Sequence, residues 1–216
     1  MRSSVIQSVK DEKIIVIVRG VEREKILPLA DALYAGGIRL MEITFDASGK
    51  TADTDTAENI RLLAESFRGR MHIGAGTVLT ERQVELTASA GGSFIISPHV
   101  SREIIEKTVS VGLVSIPGAL TPTEAQTAHL CGADFVKLFP ITDLGVSYFK
   151  AIRAPLSHIP FLAVGGIDLT NISAYLAAGA SGFGIGGNII DKKRIAENRF
   201  GEITALAEQY TKAVKG

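Results

Sequence analysis

The 216 residues fit one large domain or two small ones, taking about 150 residues per domain. Lys and Arg number 23 against 23 Asp and Glu, which leaves no basic excess to collect the phosphates of nucleic acid or of an anionic membrane. One Cys excludes an intramolecular disulfide scaffold, and no apolar run has signal-peptide flanks or reaches the roughly 18 residues of a membrane span; a cytoplasmic protein with no nucleic acid and no membrane as partner is expected.

Along the chain, residues 1–13 read as a short lead helix. Eight apolar runs then follow: IIVIV (14–18), IRLMEITF (38–45), MHIGA (71–75), SFIIS (93–97), LVSI (113–116), DFVKLF (134–139), IPFLAV (159–164) and SGFGIG (181–186). They are short, rich in Val, Ile or Phe, and do not alternate cleanly, as expected of strands buried on both faces. Between them, residues 22–35, 56–67, 80–90, 101–109, 121–130, 144–154, 169–178 and 192–213 carry helical periodicity. Thr80, Ser101 and Thr121 stand as N-cap hydroxyls ahead of early Glu, Gln or Pro, and glycines such as Gly112 and Gly132 close helices. Pro28 either kinks the first of these helices or marks a later start.

Eight strand–helix units at roughly 25-residue spacing use up the chain, so the expected fold is an α/β (β/α)8 TIM barrel. It is expected as one compact domain over 1–216, its lead helix covering the barrel bottom. No GxGxxG follows the first strand, which argues against a doubly wound dinucleotide fold.

Barrel chemistry sits at the C-terminal strand ends. Glu42 and Lys137 stand apart there, as charges inside the apolar runs LMEITF and DFVKLFP, where a charge is costly unless paired. A lysine desolvated by Phe135, Val136, Leu138 and Phe139 keeps some neutral amine near pH 7 and attacks ketones, while Glu42 on another strand can shuttle protons. A structural Lys–Glu pair is the other reading of the same residues. Gly165-Gly166 after the seventh strand and Gly186-Gly187-Asn188 after the eighth are anion-site candidates, where backbone N–H groups hold phosphate. Strand-top Arg19, Thr44, Asp46, Thr77, Pro98 and His99 complete the rim. The four His and single Cys form no metal motif, so no metal is expected.

These stretches resemble the KDPG/KHG aldolase family, class I aldolases cleaving 2-keto-3-deoxy-6-phosphogluconate and 4-hydroxy-2-oxoglutarate. GIRLMEITF, IGAGTV, FIISP, IPGALTPTE, ADFVKLFP, VGGI and GIGGN occur in family order over essentially the whole chain. The resemblance implies a Schiff-base lysine at Lys137 and a proton-shuttling glutamate at Glu42. It implies a carboxylate site at Thr77 with Gly76 and Pro98, and Phe139 packed near the pyruvoyl portion. Arg19, Gly165, Gly166, Gly187 and Asn188 are expected to hold the far end of a small 2-keto acid. It further implies no cofactor, a homotrimer, and cleavage to pyruvate plus an aldehyde. Three positions depart from the phosphogluconate-cleaving pattern: Asp46 replaces an arginine, Val164 a threonine and Asn188 a serine. All three touch the reading of the substrate's far end, so an unphosphorylated or epimeric 2-keto-3-deoxy acid stays open. A different phosphate-binding barrel enzyme and a non-catalytic sugar-acid sensor are the competing readings.

Overall fold

Each apolar run forms a strand because alternate residues meet two different cores. A computed structural model describes residues 2–215. In chain order its elements are α1 (Arg2–Glu12), β1 (Ile14–Val18), α2 (Arg23–Ala35), β2 (Leu40–Thr44), α3 (Asp53–Ser66), β3 (His72–Gly76), α4 (Glu81–Ser89), β4 (Phe94–Ile96) and α5 (Arg102–Ser110). There follow β5 (Val114–Ile116), β6 (Gly118–Ala119), α6 (Pro122–Leu130), β7 (Val136–Leu138), α7 (Gly145–Arg153), β8 (Phe161–Val164), α8 (Ile172–Ala177), β9 (Gly182–Ile185), α9 (Lys192–Ala196) and α10 (Phe200–Lys215). On β2, Met41 and Ile43 face the helices and Leu40 faces the barrel interior. Leu40 meets Ile15, Phe94, Val114, Phe135 and Leu162 there, and Val5 and Val9 of α1 close this inner core from below. Burying a side chain of this size stabilises by about 1.5–3 kcal/mol, so the lead helix is held by the inner core it plugs.

All strands are parallel, in the order β5-β4-β3-β2-β1-β9-β8-β7-β6. The two ends of that order, β5 and β6, are consecutive in the chain. They are one extended segment interrupted at Pro117, which has no N–H for a ladder. Its first half pairs with β4 and its second with β7, and the Lys137 N–H donates to the Pro117 carbonyl at 2.9 Å. The eightfold barrel is thus as expected, with a fifth strand in two pieces that reaches beyond 116.

Capping proceeds as the sequence indicates. Thr80, Ser101 and Thr121 accept from the backbone N–H groups of Gln83, Ile104 and Glu124, and Thr121 with Glu124 completes a capping box. Two helix expectations need correction. Pro28 lies inside α2, which begins at Arg23 and runs through it, so the proline marks no later start. The expected helix over 192–213 is two helices, because Asn198 adopts a left-handed φ of 56°, a conformation Asn tolerates better than most residues.

Candidate active site

Strand alternation aims Glu42 and Thr44 of β2 and Lys137 of β7 into the barrel, above the inner apolar core. Glu42 is 2% exposed and Lys137 7%. They sense each other's charge, yet no hydrogen bond or ion pair joins them among the described residues. Burial pushes the Glu42 carboxyl up to about 7, against the pull of Lys137 and then Arg19. Burial pushes the Lys137 ammonium below its ordinary range; Glu42 opposes this and Arg19 adds to it. The Lys137 Nζ stands 4.5 Å from the centroid of the Phe139 ring, and Phe139 is half-buried at the mouth. Two groups on strands far apart in the chain are therefore both displaced toward neutrality, as acid–base and nucleophilic work at neutral pH requires.

Gly76 makes room for this pair. A Cβ there would run into the Glu42 carboxylate. Gly76→Ala is therefore expected to cost about 1–3 kcal/mol by overpacking. It should lower kcat at least about 100-fold by displacing Glu42, as measured by melting temperature and steady-state turnover.

Thr77 follows directly, with φ 55°, a left-handed conformation rare for a β-branched residue and typical of strained functional sites. Its Oγ1 accepts from Arg19 Nη2 at 3.1 Å. Arg19, expected at the far end of the substrate, thus joins Thr77, expected at the near end. It lines a 480 Å³ cavity with Thr77 and Thr44, and a 220 Å³ cavity with Gly186 and Gly187. Pro98 stands at the top of β4, its carbonyl against the face of Gly118. His99 beside it is exposed.

Gly165 and Gly166, with φ 96° and 67°, line a 260 Å³ cavity with Phe139, Val164, Gly187 and Asn188. Neither glycine pair opens a helix: α8 begins only at Ile172, and the chain after Gly186 makes a turn in which Ile189 and Ile190 donate to the Gly186 carbonyl. Any anion here meets loop N–H groups rather than a helix terminus. Asn188 Nδ2 donates to the Ile167 carbonyl at 2.7 Å, tying the two loops together. Its side chain is therefore partly committed to the protein rather than wholly free for a ligand. Val164 turns its methyl groups over Gly184 beside Ile17, giving this cavity an apolar wall.

Asp46 lines the 480 Å³ cavity but closes its own loop. Oδ1 accepts from the Ser48 N–H at 2.9 Å and the Ser48 hydroxyl at 2.7 Å, and Oδ2 from the N–H groups of Lys50 and Thr51 at 3.0 Å each. Those bonds hold its carboxyl down at about 2. The Asp-x-Ser spacing is itself a turn signal readable in the sequence. Lys192 was missed: it shares the 220 Å³ cavity with Arg19, and its Nζ lies 3.7 Å from where a Gly20 Cβ would stand. A lysine opening a helix carries no sequence signal for that position.

Among the described residues, no group of three or more His, Cys, Asp or Glu is placed to hold a metal, and no helix is long and apolar enough to cross a membrane. Cys131 is buried. His72 contacts Ser8 at 3.1 Å and His158 contacts Gln126 at 3.2 Å, away from the mouth.

Residues 5–206 match the family described as KDPG and KHG aldolase. The chain is 31% identical over 203 residues to 2-dehydro-3-deoxy-6-phosphogalactonate aldolase of Escherichia coli K12, covering 94% of this chain and 96% of that protein. It is 32% identical over 218 residues to 2-dehydro-3-deoxy-phosphogluconate aldolase of Haemophilus influenzae, covering 98% and 97%. Among solved structures, the KDPG aldolase of Legionella pneumophila, with pyruvate captured as a covalent carbinolamine, superimposes with a TM-score of 0.84 at 29% identity, covering 94% and 96%. A buried lysine and a buried glutamate over a parallel barrel, together with a family match across nearly the whole chain, place this protein in the KDPG and KHG aldolase family, as a carbon–carbon lyase.

Proposed function

We propose that the chain cleaves a 2-keto-3-deoxy sugar acid to pyruvate and an aldehyde through a Schiff base on Lys137. The observation that carries this is a lysine buried in apolar surroundings with a buried glutamate beside it. Neutral Lys137 adds to the C2 ketone; the oxygen gains a proton to give a carbinolamine, and loss of water leaves an iminium. Glu42 accepts the proton of the C4 hydroxyl as the C3–C4 bond breaks, and the bonding pair passes into the iminium to give an enamine. Protonation at C3 and hydrolysis return Lys137 and pyruvate. Thr77 and Gly76 hold the carboxylate, with Pro98 and Phe139 framing the pyruvoyl portion. Gly165, Gly166, Gly187 and Asn188 hold the far end, and Arg19 with Lys192 supplies positive charge there. On this reading the enzyme needs no cofactor or metal. Residues 1–216 forming one domain, a homotrimer and a cytoplasmic location are parts of the same reading that rest on the sequence and the family likeness.

The substrate is taken to be 2-keto-3-deoxy-6-phosphogluconate or 4-hydroxy-2-oxoglutarate, with glyceraldehyde 3-phosphate or glyoxylate as the second product. Relatives named for the two epimers match at 31% and 32% identity, so identity does not choose between them. The apolar Val164 wall favours a second reading, an unphosphorylated or epimeric acid. A pyruvate-release screen over both phosphorylated epimers, their unphosphorylated forms and 4-hydroxy-2-oxoglutarate tests both. No release from any of them, with ligand still bound, would replace the enzyme reading by the sensor.

Asp46→Arg separates charge from loop structure in the same screen. Four donors lose their acceptor, so kcat/KM should fall several-fold on every substrate. A selective gain on the phosphorylated compounds would show that charge at 46, not the loop, sets preference.

A further inference from the structure

Glu42 and Thr44 are two positions apart on β2, so both side chains enter the barrel, with Cα atoms about 6.6 Å apart. The Glu42 side chain does not stay at its own level. Its Oε1 occupies the space where a Gly76 Cβ would stand, and Gly76 is the cross-strand partner of Thr44, whereas Glu42 pairs with Gly74. The carboxylate has therefore climbed one layer and lies alongside Thr44. At that level Glu42 Oε2 and Thr44 Oγ1 are both buried and neither has a hydrogen-bond partner. Thr44 is 7% exposed. Folded interiors leave few polar atoms unpaired, and two neighbouring unpaired oxygens out of direct reach are a usual setting for a bridging water.

We propose that Thr44 is a positioning residue for Glu42, its hydroxyl and the Glu42 carboxylate sharing one buried water that fixes the carboxylate for proton transfer. This rests on the Schiff-base reading above. The charged groups facing Glu42 are Lys137 from β7 and Arg19 beyond β1, while β3 presents only Gly74 and Gly76. Thr44 is thus the neutral donor on its own strand face. A water held by the hydroxyl donates to the ionised carboxylate and favours that form, so losing the hydroxyl makes Glu42 harder to ionise.

The test is exchange of the C3 protons of pyruvate with solvent deuterium, followed by NMR from about pH 5 to 9, a half-reaction that needs both the imine and a base. Thr44→Val keeps the shape and removes the hydroxyl. It should move the acid limb up by about one unit and lower exchange near pH 7 by about fivefold, with KM for pyruvate within about twofold. Thr44→Ser should return both the limb and the rate toward wild type. An unmoved limb in Thr44→Val, or a Thr44→Ser enzyme as impaired as Thr44→Val, overturns the proposal. Thr44→Ala takes the place of Val if that chain does not fold. Borohydride trapping of wild-type enzyme with pyruvate is run alongside. Failure to trap an adduct would sink the Schiff-base reading itself, and the role of Thr44 with it.

Discussion

Lys137→Met is expected to give a folded barrel that gains no borohydride-reducible pyruvate adduct and has lost about 10⁴-fold or more in kcat. Methionine is unbranched and apolar and suits the space above Phe135 and beside Phe139 on the inner face of β7, so the loss is chemical rather than structural. Its effect on Glu42 is also predictable. Lys137 is the larger of the two pulls opposing burial at that carboxyl, so Glu42 should ionise at still higher pH in the variant and stay protonated near neutrality. That protonation spares the barrel an unpaired buried anion, which is why folding survives. Mass analysis after trapping decides the matter: an adduct on Lys137→Met as abundant as on wild type would remove Lys137 from the mechanism.

Glu42→Gln should lower kcat by about 10²–10⁴-fold, the usual contribution of a positioned acid–base group, while a pyruvate adduct still accumulates on Lys137. Its pH signatures follow from the raised carboxyl. The folded state holds the Glu42 proton up to about 7, against an ordinary 4.5 for a glutamate carboxyl. The stability this proton contributes is full below about pH 4.5 and is lost as pH rises through about 7. Glutamine has no proton to lose, so the melting temperature of Glu42→Gln should compare better with wild type at pH 8 than at pH 5. Wild-type turnover should rise with pH through about 7, and the variant's residual rate should lack that limb. A Glu42→Gln enzyme that keeps the wild-type limb would assign the titration to another group.

Much of the architecture was legible in local pattern. Runs such as IIVIV and IPFLAV form strands because both of their faces are buried, and that leaves a continuous apolar signature. Glu42 and Lys137 were legible for the converse reason: a charge inside such a run must be paired, moved toward neutrality or used. The break at Asn198 was not legible, because the residues on either side of it keep helical periodicity. The divided fifth strand was missed because Gly118-Ala119 is too short to signal a strand and pairs only through its contact with β7. Arg19 and Thr77 lie 58 residues apart, and nothing in either segment announces that one hydrogen bond joins them.

Apolar period, caps and helix-end glycines were enough to specify a parallel barrel and its two interior charges, since these follow from burial of neighbouring residues along one strand or helix. Closure of the ring set what those charges meet. It brought Lys137 within electrostatic reach of Glu42, put a glycine where the carboxylate needed space, and tied Asn188 to Ile167 across two loops. It also joined Arg19 to Thr77 across the mouth. Each of these depends on distances between strands remote in the chain, and a linear sequence carries no measure of such distances.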